Sequence, residues 1–119
     1  MAQVARRKLS GSTDGRQIKV TPTASPGVLV HTAVVGVVAG THDEVWLWAS
    51  NSDTVSRTLT IQWGNTTAPD DSIIVTLAAQ SGLVPIVPGL VLQNAAIVRA
   101  FASAANVVMV VGFVNAITA

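Results

Sequence analysis

Apolar and polar residues alternate through Arg57–Trp63: Leu59, Ile61 and Trp63 fall on one side, and Thr58, Thr60 and Gln62 on the other. A period of two is that of a half-buried antiparallel strand. Ile73, Val75 and Leu77 repeat it. Two further segments are apolar on both sides. Val45–Ala49 sets Trp46 and Trp48 against Val45, Leu47 and Ala49, and Val107–Val114 sets Val107, Met109, Val111 and Phe113 against Val108, Val110 and Val114. A two-layer sandwich sends only one face of each sheet into its core. The second apolar face therefore needs a cover, from the N-terminus, another copy or a partner. This singles out Trp46, Trp48, Val108 and Val110 as an oligomer or partner interface.

Val, Ile and Thr dominate the rest of the chain, and Gly, Pro, Asn, Asp and Ser punctuate it at short spacing. The pattern predicts strands near 16–21, 28–38, 43–50, 57–63, 72–77, 83–87, 96–102 and 107–114. Asn51-Ser52-Asp53 and Ala102–Asn106 read as hairpin turns, Gly64–Asp71 as a polar loop, and Pro88-Gly89 as a turn whose glycine takes positive φ. The expected fold is all-β, an antiparallel β-sandwich of jelly-roll or immunoglobulin-like type with about 7–8 strands. Residues 1–27 are poor in large apolar side chains and read as an extended basic arm, leaving 28–119 as the β-sandwich body. Deleting 1–15 should then leave the body folded. No internal repeat or heptad is present.

Charge sharpens the division. Arg6, Arg7, Lys8, Arg16 and Lys19 lie in the first 19 residues, whereas the 48 residues from Ser72 to Ala119 carry only Arg99. The arm has a balance of +4 and the body −3. A body so poor in charge needs a covering partner, and the arm reads as the tether that holds an acidic one. No aromatic residue stands among the basic residues to stack on bases, which argues against nucleic acid as that partner. No apolar run approaches the ~18–20 residues that span a bilayer, and no leucine-rich segment follows basic Met1–Lys8, so neither a membrane nor a secretory leader is expected.

Candidate chemistry is sparse. The chain has two histidines, no cysteine and no tyrosine. His42-Asp43-Glu44 is the one dense polar triplet; a strand puts positions 42 and 44 on one side, but metal sites need three or four ligands, and a solvated strand start explains the triplet. Asp70-Asp71 lacks the spacing of a calcium loop and fits a turn. His31 reads as a packed or interface histidine. Trp46, Trp48 and Trp63 suggest a sugar-binding platform on one reading, and core or interface anchors on the other. No phosphate loop, nucleophile elbow or triad motif is present, so no enzyme, catalytic residue, metal, cofactor or small-molecule substrate is expected.

A basic, Ser/Gly-containing start precedes Ser56-Arg57-Thr58-Leu59-Thr60-Ile61-Gln62-Trp63-Gly64. Asp70-Asp71, Val87-Pro88-Gly89-Leu90, Val98-Arg99-Ala100-Phe101 and Gly112-Phe113-Val114-Asn115 follow. Together these resemble the small head proteins encoded beside the major capsid protein of tailed bacteriophages, similar in role to decoration or cement proteins. The resemblance implies a β-sandwich made in the host cytoplasm that assembles on the outer capsid surface of the virion, with the major capsid protein as partner. It also implies self-association, as a homotrimer before a dimer, and clamping of neighbouring capsomers. The alternatives are a virion attachment module that binds host-surface carbohydrate through exposed tryptophans, and a tail or neck component.

Overall fold

The computed structural model describes residues 2–119. Nine strands lie among them: β1 (Gln3–Lys8), β2 (Ile18–Lys19), β3 (Val28–Thr32), β4 (His42–Asn51), β5 (Arg57–Gly64), β6 (Ser72–Leu77), β7 (Val84–Leu92), β8 (Ile97–Ala102) and β9 (Val108–Thr118). β-Branched side chains are frequent in β3, β6 and β9, and these pack readily on a pleated surface. The strands form two antiparallel sheets. The front sheet runs β1-β9-β4-β7 with β2 also beside β9, and the back sheet runs β3-β8-β5-β6. β1 and β2 pair with successive stretches of β9, Lys8 opposite Phe113 and Ile18 opposite Val110, so they are one edge strand interrupted by 9–17. Counted that way, eight strands cross between two four-stranded sheets in the jelly-roll order.

The all-β sandwich expectation holds, but the extended arm does not. Residues 3–8 and 18–19 belong to the front sheet, and Leu9, Ile18 and Val20 are buried in the same core cluster as Val45, Leu47, Leu59, Ile61, Val98 and Val110. Among the described residues, 2–27 share one core with 28–119. Main-chain bonds continue the tie, from Val20 N to the Val108 carbonyl and from Ala102 N to the Pro22 carbonyl. The same packing argues against the expectation that 1–15 can be removed without harm.

Several local expectations also change. β4 and β5, and β8 and β9, lie in different sheets, so the turns after Asn51 and Ala102 are crossovers and not hairpins; β5–β6 is the hairpin of the back sheet. Asn51 is buried at the first crossover, where its amide donates to the carbonyls of Val55, Leu77 and Ala78. The strand expected over 28–38 stops at Thr32. Beyond it the chain leaves the ladder, and the carbonyls of Val34 and Gly36 accept instead from Ala95 and Asn94 in the turn after β7. Pro88-Gly89 is not a turn: β7 passes through it, accommodated by register shifts opposite Val45–Trp46 and Leu47–Trp48.

Each sheet buries one face. β4 alternates strictly, with Asp43, Val45, Leu47, Ala49 and Asn51 inward, and β9 sends Val108, Val110 and Val114 inward. Val108 and Val110 are therefore core residues, and the expectation that they form an interface is corrected. The register puts Met109, Val111 and Phe113 on the outward side. On the back sheet, Gln62 is buried although it alternates with Ile61. Its amide is covered by 25–27, accepting from Gly27 N at 2.8 Å and donating to Ser25 Oγ at 2.8 Å.

Leu9 tests how the N-terminal segment contributes. Its side chain is fully buried between the sheets, so Leu9→Ala should cost about 2–5 kcal/mol. Urea unfolding should show this as a lower midpoint at unchanged slope. Removing 1–15 should destabilise more, since it also deletes β1; a midpoint unmoved by either change would restore the free arm.

Candidate functional site

The outer face of the front sheet carries an aromatic cluster. Trp46 and Trp48 stand two apart on β4, and Phe113 lies opposite Trp46 on β9. Ring centroids are 6.5 Å apart for Trp46–Trp48, 6.1 Å for Trp46–Phe113 and 5.8 Å for Trp48–Phe113, with planes inclined at 19°, 18° and 31°. All three side chains are half-buried. Trp46 leans over β7 at Gly89, where a Cβ would sit 2.7 Å from Trp46 Cζ2 and φ is +78°. Glycine is required there on both counts.

Hydrogen bonds fix this face across three strands. Trp46 Nε1 donates to Glu44 Oε1 at 2.7 Å, Asn115 Nδ2 donates to the same oxygen at 3.0 Å, and Arg6 Nε reaches Asn115 Oδ1 at 3.4 Å. The Arg6 guanidinium lies 4.4 Å from the Phe113 ring centroid, a cation–π contact. Donation by Trp46, then by Asn115, together with the charge of nearby His42, holds the Glu44 carboxyl below its ordinary 4.5 despite an opposing effect of burial.

The five N-terminal cations gather along the β1–β2 border and are exposed. Register places Arg6, Lys8 and Lys19 on the same side as Asn115, Phe113 and Met109, so these three edge the aromatic face. Arg7 lies opposite inward-facing Val114 and lines the cleft described next; Arg16 sits in the 9–17 excursion. None of the five has a carboxylate partner among the described residues, where the ion pairs are His31–Asp43 and Arg57–Asp53.

A cleft of about 640 Å³ opens between the sheets, with Arg7, Lys8, Ser10, His31, Asp43 and Val114 among its lining. At its base His31 and Asp43, 5% and 6% exposed, join back sheet to front through a 2.7 Å bond between Nε2 and Oδ2. Ser10 N donates to His31 Nδ1 at 3.0 Å. That fixes the ring proton on Nε2, donated to Asp43, and leaves the imidazole no free lone pair. Ser10 Oγ accepts from Thr32 N at 2.7 Å. Asp, His and Ser thus meet, but as a structural clasp, without a base poised to take a hydroxyl proton. Among the described residues no three His, Asp or Glu side chains converge on a metal position. Asp43 faces inward while His42 and Glu44 face out, which divides the polar triplet.

The end of the molecule beyond this clasp is apolar. Of ten exposed large apolar side chains, six lie here: Val4 on β1, Val35, Val37 and Val38 on the β3–β4 loop, and Leu90 and Val91 on β7. Val35, Val37 and Val38 are 82%, 69% and 62% exposed. Val4 and His42 both lie opposite Ile117, and Leu92 lies opposite Asp43, which puts the three strand ends at one level. The loop is tied to them by Asn94 N to the Gly36 carbonyl and Gln93 Nε2 to the Thr41 carbonyl. Isolated surface valines are ordinary, and Leu90 and Val91 face opposite sides of β7, but three exposed valines on one short loop make a candidate contact surface.

The structure thus brings Trp46 and Trp48 together with Arg6, Lys8 and Lys19, and leaves Val108, Val110 and Arg7 off that face. Trp63 packs against the core, away from the platform suggested for the three tryptophans. The sequence reading missed Phe113, Glu44 and Asn115 as members of the face, and Val35, Val37 and Val38, which it assigned to a strand. Comparison with family models, curated proteins and solved structures finds no match to this chain.

Two outcomes follow from this geometry. Removing one partner of the buried clasp leaves the imidazole N–H unpaired, so Asp43→Ala should lose about 1–3 kcal/mol in chemical denaturation; a loss well below 1 kcal/mol, as for an exposed pair, would show that water replaces the carboxylate. Because the Glu44 carboxyl titrates below 4.5 in the folded state, its stabilising contribution is present above that pH and is lost as pH falls through the folded value. An NMR titration should show the Glu44 carboxyl and the Trp46 indole N–H moving with one shared midpoint under 4.5, and Trp46→Phe should move the Glu44 midpoint up. Independent midpoints would dissolve the network.

Proposed function

We propose that this protein is a non-enzymatic structural component of a virion, a cement protein that binds the outer surface of a tailed-bacteriophage head and clamps neighbouring major capsid subunits. The observation that carries the reading is the apolar end at the β3–β4 loop, where Val35, Val37 and Val38 are exposed. Exposed valines on a short loop, backed by a rigid sandwich, suit insertion into an apolar recess of a larger partner. The resemblance of the sequence to phage head proteins supplies the kind of partner. The tether once expected of an N-terminal arm is replaced in this proposal by the apolar end, because residues 3–20 are held in the sandwich.

The test is binding of the purified protein to expanded, DNA-free heads assembled from the major capsid protein of a phage whose genome encodes this chain. Replacing Val35, Val37 and Val38 together by Ser changes exposed positions and should leave the melting temperature in place. Apolar burial of this size is worth enough that head binding should weaken roughly tenfold or more. Binding unaffected by the triple change would remove the apolar end from the reading. Density confined to the tail in cryo-EM of virions would end the head assignment.

A further inference from the structure

The distance in sequence between the basic residues and the aromatic ones disappears in the fold. Lys8 lies directly opposite Phe113, Arg6 rests on the Phe113 ring, and Phe113 lies opposite Trp46. Lys19, opposite Met109, continues the same border. From Arg6 to Lys19 the border follows β9 from Asn115 to Met109, roughly 20 Å of strand. A line of cations thus runs beside three half-buried rings on an otherwise open sheet face.

We infer that this face binds single-stranded nucleic acid, with bases stacked on Trp48 and Trp46 and the phosphate backbone along Arg6, Lys8 and Lys19. Stacking on sheet aromatics beside a positive track is how single strands are held without sequence preference. The three cations are not consumed by carboxylates of the protein, although Lys8 Nζ also holds the Ser12 carbonyl at 3.1 Å. Glu44 is the carboxylate on this face, and its Oε1 is occupied by Trp46 and Asn115. Its second oxygen is left to accept from base amino groups. A neutral sugar would use the rings but has no need of the cationic border. An acidic protein would use the border but not the two indole rings. A duplex hides its base faces, so the rings select the unpaired strand.

The probe is a fluorescently labelled oligo(dT) of about 12 nucleotides, followed by anisotropy and by quenching of tryptophan emission. Three phosphate contacts predict a salt slope near −2, so that affinity falls about 20-fold from about 50 to about 200 mM salt. Trp48→Ala should weaken binding by about 5- to 100-fold, and Trp48→Phe, which keeps a ring, should recover most of it. Changing Arg6, Lys8 and Lys19 to Gln should flatten the salt slope while the melting temperature holds, since all three are exposed. The triple valine variant of the apolar end should bind as well as the parent, which separates this inference from head binding. Absence of binding at low salt overturns it, as does equal affinity for a duplex of the same length, or indifference to Trp48→Ala. Binding to heparin without binding to the oligonucleotide would make the face a site for an acidic polysaccharide instead.

Discussion

The pairing of β1 and β2 with β9 is the constraint on which the rest of this structure depends. β9 is the longest strand, and it must satisfy two sides: β4 along ten positions on one, and the interrupted N-terminal strand on the other. That pairing draws Leu9, Ile18 and Val20 into the core and carries Ser10 to the imidazole of His31. It also sets Arg6 over Phe113. An edge strand with every residue exposed cannot be held by its own burial. It is held by ladder bonds to β9 and by the anchor at Leu9 that follows it.

The sandwich separates two kinds of polar chemistry by face. Inside, His31 and Asp43 meet across the sheets with both imidazole nitrogens bonded, so the pair braces the open end of the core. Outside, Glu44 and Asn115 organise aromatic side chains that remain half open to solvent. Adjacent positions 43 and 44 belong to these two systems because a strand turns successive side chains to opposite faces. The inward carboxylate is a structural element, and the outward one orients a surface.

The legible part of the fold was local. Strict alternation in Arg57–Trp63 and the spacing of Ile73, Val75 and Leu77 announced strands, and the doubly apolar segments around Trp46 and Val110 announced a sheet with an unusual outer face. What could not be read was pairing between distant segments. Residues 3–8 show no apolar alternation, because both sides of β1 face water, and so they look like a tail. Val34–Val38 has the composition of a strand, but its carbonyls are claimed by Asn94 and Ala95, a bond pattern that leaves no trace in the residue types. The hairpins expected at Asn51 and Ala102 failed for a related reason: short polar turns suit a change of sheet as well as a return within one. The aromatic face was half visible. Trp46 and Trp48 stood out by spacing, whereas Phe113, Arg6 and Asn115 join them only through the register of β9.

The two borders of the front sheet differ in kind. β7 carries Pro85 and Pro88 and is bent by two register shifts, so it lacks the continuous donors that an added strand needs. β1 keeps an open ladder but lines it with Arg6, Arg7 and Lys8, which repel an identical edge. Growth of a continuous sheet from copy to copy requires two compatible borders, one for each direction of propagation. Here one border is chemically blunt and the other rejects its own kind. The front sheet is therefore closed to growth by strand addition from copy to copy.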